Sequence, residues 1–129
     1  MKFKIKRMQF ITRKHVRAHP DKIFLFGDNL RRTGYGGQAK AMRGEPNAIG
    51  VPTKKKSTND PEAFFTDDEL EQNKAAIDRA LEQLADCKDG TVIVIPSAGL
   101  GTGLADLLSR APKTFEYLEI RLAELGEDI

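Results

Sequence analysis

Two short segments of this chain are apolar without interruption, and each is followed by a glycine-rich loop. The first segment is Ile23–Phe26, with a loop from Gly27 to Gly37, and the second is Val92–Ile95, with a loop that ends at Gly103. Uninterrupted apolar runs of this length are typical of strands buried on both faces, which occur in parallel sheets covered by helices. In such sheets ligands bind beyond the carboxyl ends of the strands. We therefore predict two interior, parallel strands whose loops lie side by side at one edge of the sheet.

The rest of the chain alternates between strand and helix patterns. Strand patterns occur at 3–5, 8–10 and 48–51, and helix patterns occur at 38–43, 66–89 and from Pro112 onward. The first two strands alternate apolar and basic residues, which is typical of edge strands with one solvated face. Thr66 and Glu69 form a capping-box pattern, and the polar run Thr53–Pro61 reads as an exposed loop. This alternation predicts an α/β sandwich with helices on both faces of the sheet.

Length and composition limit the fold to one core. With 129 residues, 40% of them hydrophobic, the chain has the size of a single domain, 1–129. Its apolar runs are far shorter than the roughly 20 residues that span a bilayer, and the alternating N-terminal residues do not resemble a signal peptide. Cys87 is the single cysteine, so neither an intramolecular disulfide nor a zinc cluster is expected. We expect a soluble, cytoplasmic protein that holds no metal and no cofactor.

Charge is divided unevenly along the chain. Residues 1–60 carry 15 lysines and arginines against four acidic residues, whereas residues 61–129 carry six against 15. Such a division indicates either an anionic partner for the first half or two halves that attract each other. Both interpretations remain open at this point.

The two glycine loops are the candidate ligand site. Glycine permits close approach of backbone N–H groups, which suits phosphate binding. Neither loop has the spacing of a Walker A motif or of a dinucleotide-binding motif. Each alone reads as a turn, but their joint position after the two most buried strands favours a site. Ser97 lacks the glycine pattern of a nucleophile elbow, and nothing pairs His15 or His19 with it, so a hydrolytic triad is not supported.

Lys54 and Asp106 are the candidate catalytic side chains. Lys54 is the first of three consecutive lysines, and it directly follows a predicted strand and Thr53. Neighbouring cations such as Lys55 and Lys56 lower the pKa of a lysine, and a neutral amine is able to attack a sugar or carbonyl carbon. The plain alternative is a solvated charge run. Asp106 follows the second loop and is either the cap of the next helical turn or a catalytic group.

Three segments together resemble one known family. The segment Phe26–Met42 (FGDNLRRTGYGGQAKAM) resembles the first ligand loop of macro domains, closest to the terminal ADP-ribose protein glycohydrolases. Ile49–Lys56 resembles the strand of that branch that ends in Thr-Lys-Lys, and Ile95–Leu104 resembles its second ligand loop. The motifs keep the family's order over roughly residues 10–108. The resemblance implies a compact, macro-domain-like three-layer α/β/α sandwich with a mixed central sheet.

The same resemblance implies a ligand and roles for particular residues. ADP-ribose is expected along the carboxyl ends of the central strands, with Asn29 bound to the distal ribose. Lys54 is expected to attack the anomeric carbon of that ribose, and Asp106 to complete the release. The residues expected to contact the ligand are Gly27, Asp28, Asn29, Gly34, Tyr35, Gly36, Gly37 and Gln38, then Thr53, and then Ser97, Ala98, Gly99, Leu100, Gly101, Thr102, Gly103 and Leu104.

The chain departs from the family at the end that would hold adenine. Macro domains have an aspartate there in a Gly-Asp-Ile-Thr context, whereas this chain has Gln9-Phe10-Ile11-Thr12. Phe10 is a candidate to stack on the base instead. Two functions are therefore predicted as alternatives. One is an enzyme that hydrolyses an ADP-ribosyl ester or N-glycosidic bond on a protein or nucleic acid, and the other is a non-catalytic ADP-ribose-binding module. Nucleic-acid binding by the basic half is a third hypothesis, without an aromatic platform or a recognised motif to support it.

Overall fold

The computed structural model describes residues 2–129, which fold around one five-stranded sheet. The strands are β1 (Phe3–Met8), β2 (Ile23–Asn29), β3 (Ala48–Lys54), β4 (Val92–Pro96) and β5 (Gly126–Asp128). Their order is β3-β2-β4-β1-β5, and every pair of neighbours is parallel. The expectation of a mixed sheet is therefore wrong. Each connection crosses over and returns the chain to the same end of the sheet, so all five carboxyl ends lie at one edge.

The connections between strands carry the helices. Within residues 2–129 these are α1 (Arg13–Ala18), α2 (Ala39–Met42), α3 (Leu70–Leu81), α4 (Leu107–Arg110) and α5 (Pro112–Glu124). Short 3₁₀ turns at Asp67–Glu69 and Glu82–Leu84 adjoin the two ends of α3. In the described part of the chain, these helices all fall short of the length and apolarity that crossing a membrane demands.

The predicted interior strands are confirmed. β2 lies between β3 and β4, and β4 lies between β2 and β1. Leu25 of β2 is buried in a cluster with Ile77 of α3 and Leu118 of α5. The neighbouring residue Phe24 belongs to a second cluster, with Val16 of α1. Because successive side chains of a strand point to opposite faces, helices pack on both sides of the sheet.

Strand β1 differs from its prediction in two ways. It is one strand rather than two, and it is not an edge strand, because β5 pairs with it from Phe3 onward. Phe10 lies outside the strand. β5 begins at Gly126, where a Cβ would collide with the backbone carbonyl of Phe3. Only glycine allows the two strands to approach this closely.

The predicted capping box at Thr66 does not form. The Thr66 side chain makes no capping hydrogen bond, and the Asp67 carboxylate instead accepts from the N–H groups of Lys113 (2.9 Å) and Thr114 (3.1 Å). Asp67 therefore caps α5, a helix far away in sequence. Burial alone would raise the pKa of the Asp67 carboxyl, but these bonds and one from the Thr114 hydroxyl outweigh it and lower the pKa.

Candidate functional site

The two glycine loops lie side by side, as predicted, and the Gln38 side chain joins them. Its Oε1 accepts a hydrogen bond from the Gly27 N–H (2.8 Å), and its Nε2 donates to the Gly99 carbonyl (2.9 Å). A Cβ placed on Gly27 would lie only 3.3 Å from the backbone nitrogen of Gly101. The end of β2 therefore lies in close contact with the second loop.

A small pocket of about 150 Å³ lies between the loops. Lys54 lines it from the end of β3, and Leu104 lines it from the second loop. The other predicted contacts that line this pocket are Gly27, Asp28, Gly34, Gly36, Gly37, Gln38, Thr53, Gly101 and Gly103. Three segments that are distant in sequence thus share one pocket because their strands end at the same edge of the sheet.

Lys54 is buried, with 7% of its surface exposed. Its Nζ donates a hydrogen bond to the carbonyl of Thr58 (2.8 Å) and lies 4.6 Å from the centre of the Phe64 ring. Burial, and then the positive charge of Arg110, lower the pKa of this amine. Arg110 stacks on the same ring, with its Cζ 3.5 Å from the ring centre. The lowered pKa gives Lys54 a larger neutral fraction than an ordinary lysine has, and the neutral amine is the form able to act as a nucleophile.

The cause of this lowered pKa is not the one expected from the sequence. Lys55 forms an ion pair with Glu69, and the Nζ of Lys56 lies 3.5 Å from a carboxylate oxygen of Glu62. Each of these two lysines is thus paired with an acidic side chain. Desolvation and the charge of Arg110, rather than these two lysines, lower the pKa of Lys54.

Asp28 is an anchor for the first loop. Its side chain is 2% exposed, and it forms ion pairs with Arg43 (2.5 Å) and Arg32 (3.1 Å). Arg43 also donates from Nε to the Gly34 carbonyl (2.6 Å), so the pair fastens the glycine loop to the end of β2. Gly50 on β3 makes room for this carboxylate, since a Cβ there would lie 2.8 Å from the Asp28 Cβ.

Asn29 is buried and shapes the turn after β2. Its Nδ2 donates to the Thr33 carbonyl (2.8 Å), and its Oδ1 accepts from the Arg31 N–H (3.0 Å). Both ends of the amide are therefore used inside the loop. The predicted contact with a ribose stays a prediction, and the structure adds a local role for this side chain.

Asp106 begins α4 in a left-handed conformation, with φ 46°. It makes no capping hydrogen bond through its side chain, and its carboxylate lies 3.5 Å from the Nε of Arg110. Of the sequence predictions, Asp106, Asn29, Tyr35, Gly99, Leu100 and Thr102 do not line the small pocket. Ser97 and Ala98 line a second, larger cleft.

The larger cleft has a volume of about 800 Å³. The segment from Met8 to Arg13, helix α2 and the segment Pro96–Ala98 line it, and it shares two lining residues, Gly37 and Gln38, with the small pocket. Phe10 lines its rim with 93% of its surface exposed and a φ of 52°. The sequence singled out Phe10 but did not predict the cleft, which exists only once α2 packs beside the end of β1.

The glycine loops also offer unused hydrogen-bond donors. Within residues 2–129, the backbone N–H groups of 34–37 and 100–103 donate to no other atom of the chain. Clusters of N–H groups of this kind bind anions. Of these residues, Gly34, Gly36, Gly37, Gly101 and Gly103 line the small pocket.

Comparison with known proteins assigns a family. A model described as a family of unknown function, DUF7831, matches residues 6–121, so the chain belongs to this family. No curated protein and no solved structure matches the chain.

Proposed function

We propose that this member of the DUF7831 family binds ADP-ribose, or a related NAD-derived nucleotide, along the carboxyl edge of its sheet. The observation that carries the proposal is the junction of two unequal compartments at Gly37 and Gln38. The larger, about 800 Å³, falls in the range of about 300–1,000 Å³ typical of small-molecule sites. The smaller, about 150 Å³, suits a single sugar ring. ADP-ribose has two parts of correspondingly unequal size, an adenosine at one end and a second ribose at the other.

The charge at the junction supports a diphosphate link. The small pocket beside it is lined by residues whose N–H groups donate to no other atom of residues 2–129, namely Gly34, Gly36, Gly37, Gly101 and Gly103. Among residues 2–129, Asp28 is the one acidic side chain that lines the small pocket, and its charge is matched by Arg43 and Arg32. A diphosphate would therefore meet donors without meeting an unpaired carboxylate in either compartment.

The resemblance to macro domains supports the same ligand. Its three motifs contribute to one edge of the sheet, and both glycine loops adjoin the junction. The all-parallel sheet departs from the mixed sheet that the resemblance implied. The proposal therefore depends on the loops at the edge rather than on the architecture of the whole sheet.

A second function, hydrolysis of an ADP-ribosyl bond, is favoured by the state of Lys54. This lysine lines the sugar-sized pocket, and its pKa is lowered by burial and by Arg110. In the proposed reaction its neutral amine attacks the anomeric carbon. A carbon–nitrogen bond forms as the bond to the acceptor breaks, and the bonding electrons leave with the acceptor. The nitrogen then loses a proton. In the second step the oxygen of a water molecule bonds to the anomeric carbon, the carbon–nitrogen bond breaks, and a proton from the water passes to the amine, with Asp106 as the proposed acid–base partner.

Calorimetry with ADP-ribose, AMP and NAD tests the binding proposal. ADP-ribose should bind more tightly than AMP, because AMP would occupy the larger cleft alone. Saturable heat with ADP-ribose supports the proposal. No heat with any of the three nucleotides would overturn it.

Matched lysine variants test the hydrolysis. Lys54→Arg keeps the charge but cannot deprotonate at working pH, so it should retain most ADP-ribose binding and lose nearly all turnover of an ester-linked ADP-ribose substrate. Lys55→Arg is the control and should retain both, because Lys55 pairs with Glu69. Turnover by Lys54→Arg within a few-fold of wild type would exclude the lysine nucleophile. If the wild-type protein binds ADP-ribose but turns nothing over, it is a binding module.

A further inference from the structure

The larger cleft is lined mainly by apolar surface. Met8, Phe10, Ile11, Met42 and Pro96 all contribute to it, from β1, the following segment, α2 and β4. None of its lining residues, all of which lie in the described part of the chain, is an aspartate or a glutamate. A ligand ring in this cleft therefore meets no carboxylate that could accept a hydrogen bond from an exocyclic amine.

The polar side chains deeper in the cleft are already engaged within the protein. Gln38 uses both ends of its amide between Gly27 and Gly99. Arg13 donates to the carbonyls of Arg43 and Lys40, both at 2.9 Å, and pairs with Glu45. The remaining polar side chains, Gln9, Thr12, Lys40 and Ser97, belong to exposed residues.

Several backbone acceptors around the cleft are also occupied. The Met8 carbonyl accepts from the Ser97 N–H (2.9 Å), and the Pro96 carbonyl accepts from the Gly99 N–H (2.8 Å). The Gly37 carbonyl accepts from the Lys40 N–H (3.3 Å). The wall of the cleft thus offers extensive apolar contact area, and the lining carbonyls that stay free, such as those of Gln9 and Ser97, belong to exposed residues.

Phe10 is the aromatic surface available to such a ring. It is 93% exposed at the rim, and its φ of 52° is a conformation that favours glycine. Non-glycine residues in this region carry backbone strain, and such strain is concentrated at ligand sites. Contact with a bound flat ring would account for an exposed phenylalanine at a strained position beside an apolar cleft.

We propose that the cleft holds the base of the nucleotide by stacking and apolar contact, and that it does not distinguish a 6-amino from a 6-oxo purine. This inference rests on the proposed function, since it assigns the base end of the same ligand. Stacking on an aromatic side chain is tolerant of base identity because every base has a π-face. Strong discrimination requires buried polar groups that the wrong ligand leaves unpaired, and the cleft presents few of these.

Calorimetry with ADP-ribose and its hypoxanthine counterpart, inosine diphosphate ribose, tests the proposal. The two ligands differ only at the edge of the base. We expect the two dissociation constants to agree within about threefold. Binding of ADP-ribose tenfold or more tighter, a difference of about 1.4 kcal/mol, would overturn base indifference while leaving nucleotide binding intact. If neither nucleotide binds, the proposed function itself fails.

A variant of Phe10 separates stacking from edge recognition. Phe10→Ala should weaken both nucleotides by the same factor, about 5- to 100-fold. The substitution leaves the core untouched, because the side chain is almost wholly exposed. Ile120→Ala is the control, since it truncates an exposed apolar side chain on α5, which lines neither compartment. Unchanged affinity for both nucleotides in Phe10→Ala, or a loss for only one of them, would overturn the assignment of Phe10.

Discussion

Replacing Asp28 by asparagine should destabilise the whole fold, because Asp28 and Arg43 form a buried ion pair. The Asp28 side chain is 2% exposed and that of Arg43 is 14% exposed. The substitution keeps the shape of the side chain and one acceptor oxygen, but it leaves the guanidinium charge without its counter-ion. Removing one partner of a buried pair costs about 3–5 kcal/mol.

The lower end of this range applies here. Arg43 keeps its hydrogen bonds to the carbonyls of Gly34 (2.6 Å) and Thr33 (3.2 Å), and these bonds partly stabilise its unpaired positive charge. We therefore expect the free energy of unfolding to fall by about 3 kcal/mol. For a domain of this size, that lowers Tm by on the order of 10 °C.

Urea denaturation of three variants measures this effect. Glu62→Gln is the matched control, because Glu62 is two-thirds exposed and pairs with Lys56 at 3.5 Å, so it should change stability by less than about 1 kcal/mol. The double variant Asp28→Asn with Arg43→Gln should be no less stable than Asp28→Asn alone, since it removes the unpaired charge. A loss below about 1 kcal/mol in Asp28→Asn would refute the argument.

Three further predictions concern single side chains. Asn29→Ala should lower the free energy of unfolding by about 1–2 kcal/mol and weaken ADP-ribose binding, because both ends of its amide hold the turn; a variant as stable as wild type in urea would contradict this. Gly101→Ala should lower the free energy of unfolding by about 1–3 kcal/mol in thermal denaturation, since φ is +76° and the new Cβ would lie 3.0 Å from Thr53 Cγ2. Gly103→Ala is the control and should melt like wild type, because its Cβ meets nothing within 4 Å. Asp67→Asn should cost about 1 kcal/mol at pH 7 through loss of the cap on α5. Because the folded pKa of Asp67 is lowered, its contribution to stability is present above the unfolded pKa and is lost on acidification. The difference in stability between Asp67→Asn and wild type should therefore shrink below about pH 4, which urea denaturation at pH 7 and pH 3 would show.

The parts of the fold that were predictable from the sequence are those in which local pattern and burial agree. The apolar runs 23–26 and 92–95 became interior parallel strands, because four consecutive apolar side chains are stable only when both faces of a strand are covered. The proximity of the two glycine loops followed from the same argument. Pro112 at the start of α5 also behaved as expected for the first helical position.

The elements that were missed are stabilised by distant partners. β5 consists of Gly126–Asp128, which carries no apolar side chain and forms a strand because it pairs with β1. α1 has six residues, of which only Val16 is buried, so it is too short to show helical periodicity. The Thr12 side chain that caps it, by accepting from the His15 N–H, was the available signal.

The location of the candidate site was predictable from the sequence, but the roles of its residues were not. Lys54 reaches the pocket as expected, yet burial and Arg110, rather than the adjacent lysines, perturb its pKa. Asp28 and Asn29 were expected to contact the ligand because their segment resembles the first ligand loop of macro domains. The partner that engages Asp28, Arg43, lies in a different local element, and no periodicity connects the two.

The position of β1 between β4 and β5 affects how the protein folds during synthesis. β1 emerges from the ribosome before the strands on both sides of it, because its register begins with Val92 on one side and Gly126 on the other. Until residue 92 has been made, the nascent chain contains β1 without neighbours, and the β2–β3 pair with one edge of β2 bare. Unpaired strand edges in incomplete chains are prone to aggregation, and long-range parallel pairing is slow. The first two-thirds of the domain therefore exposes unpaired strand edges during synthesis, until residues 92–128 pair with β1 and β2.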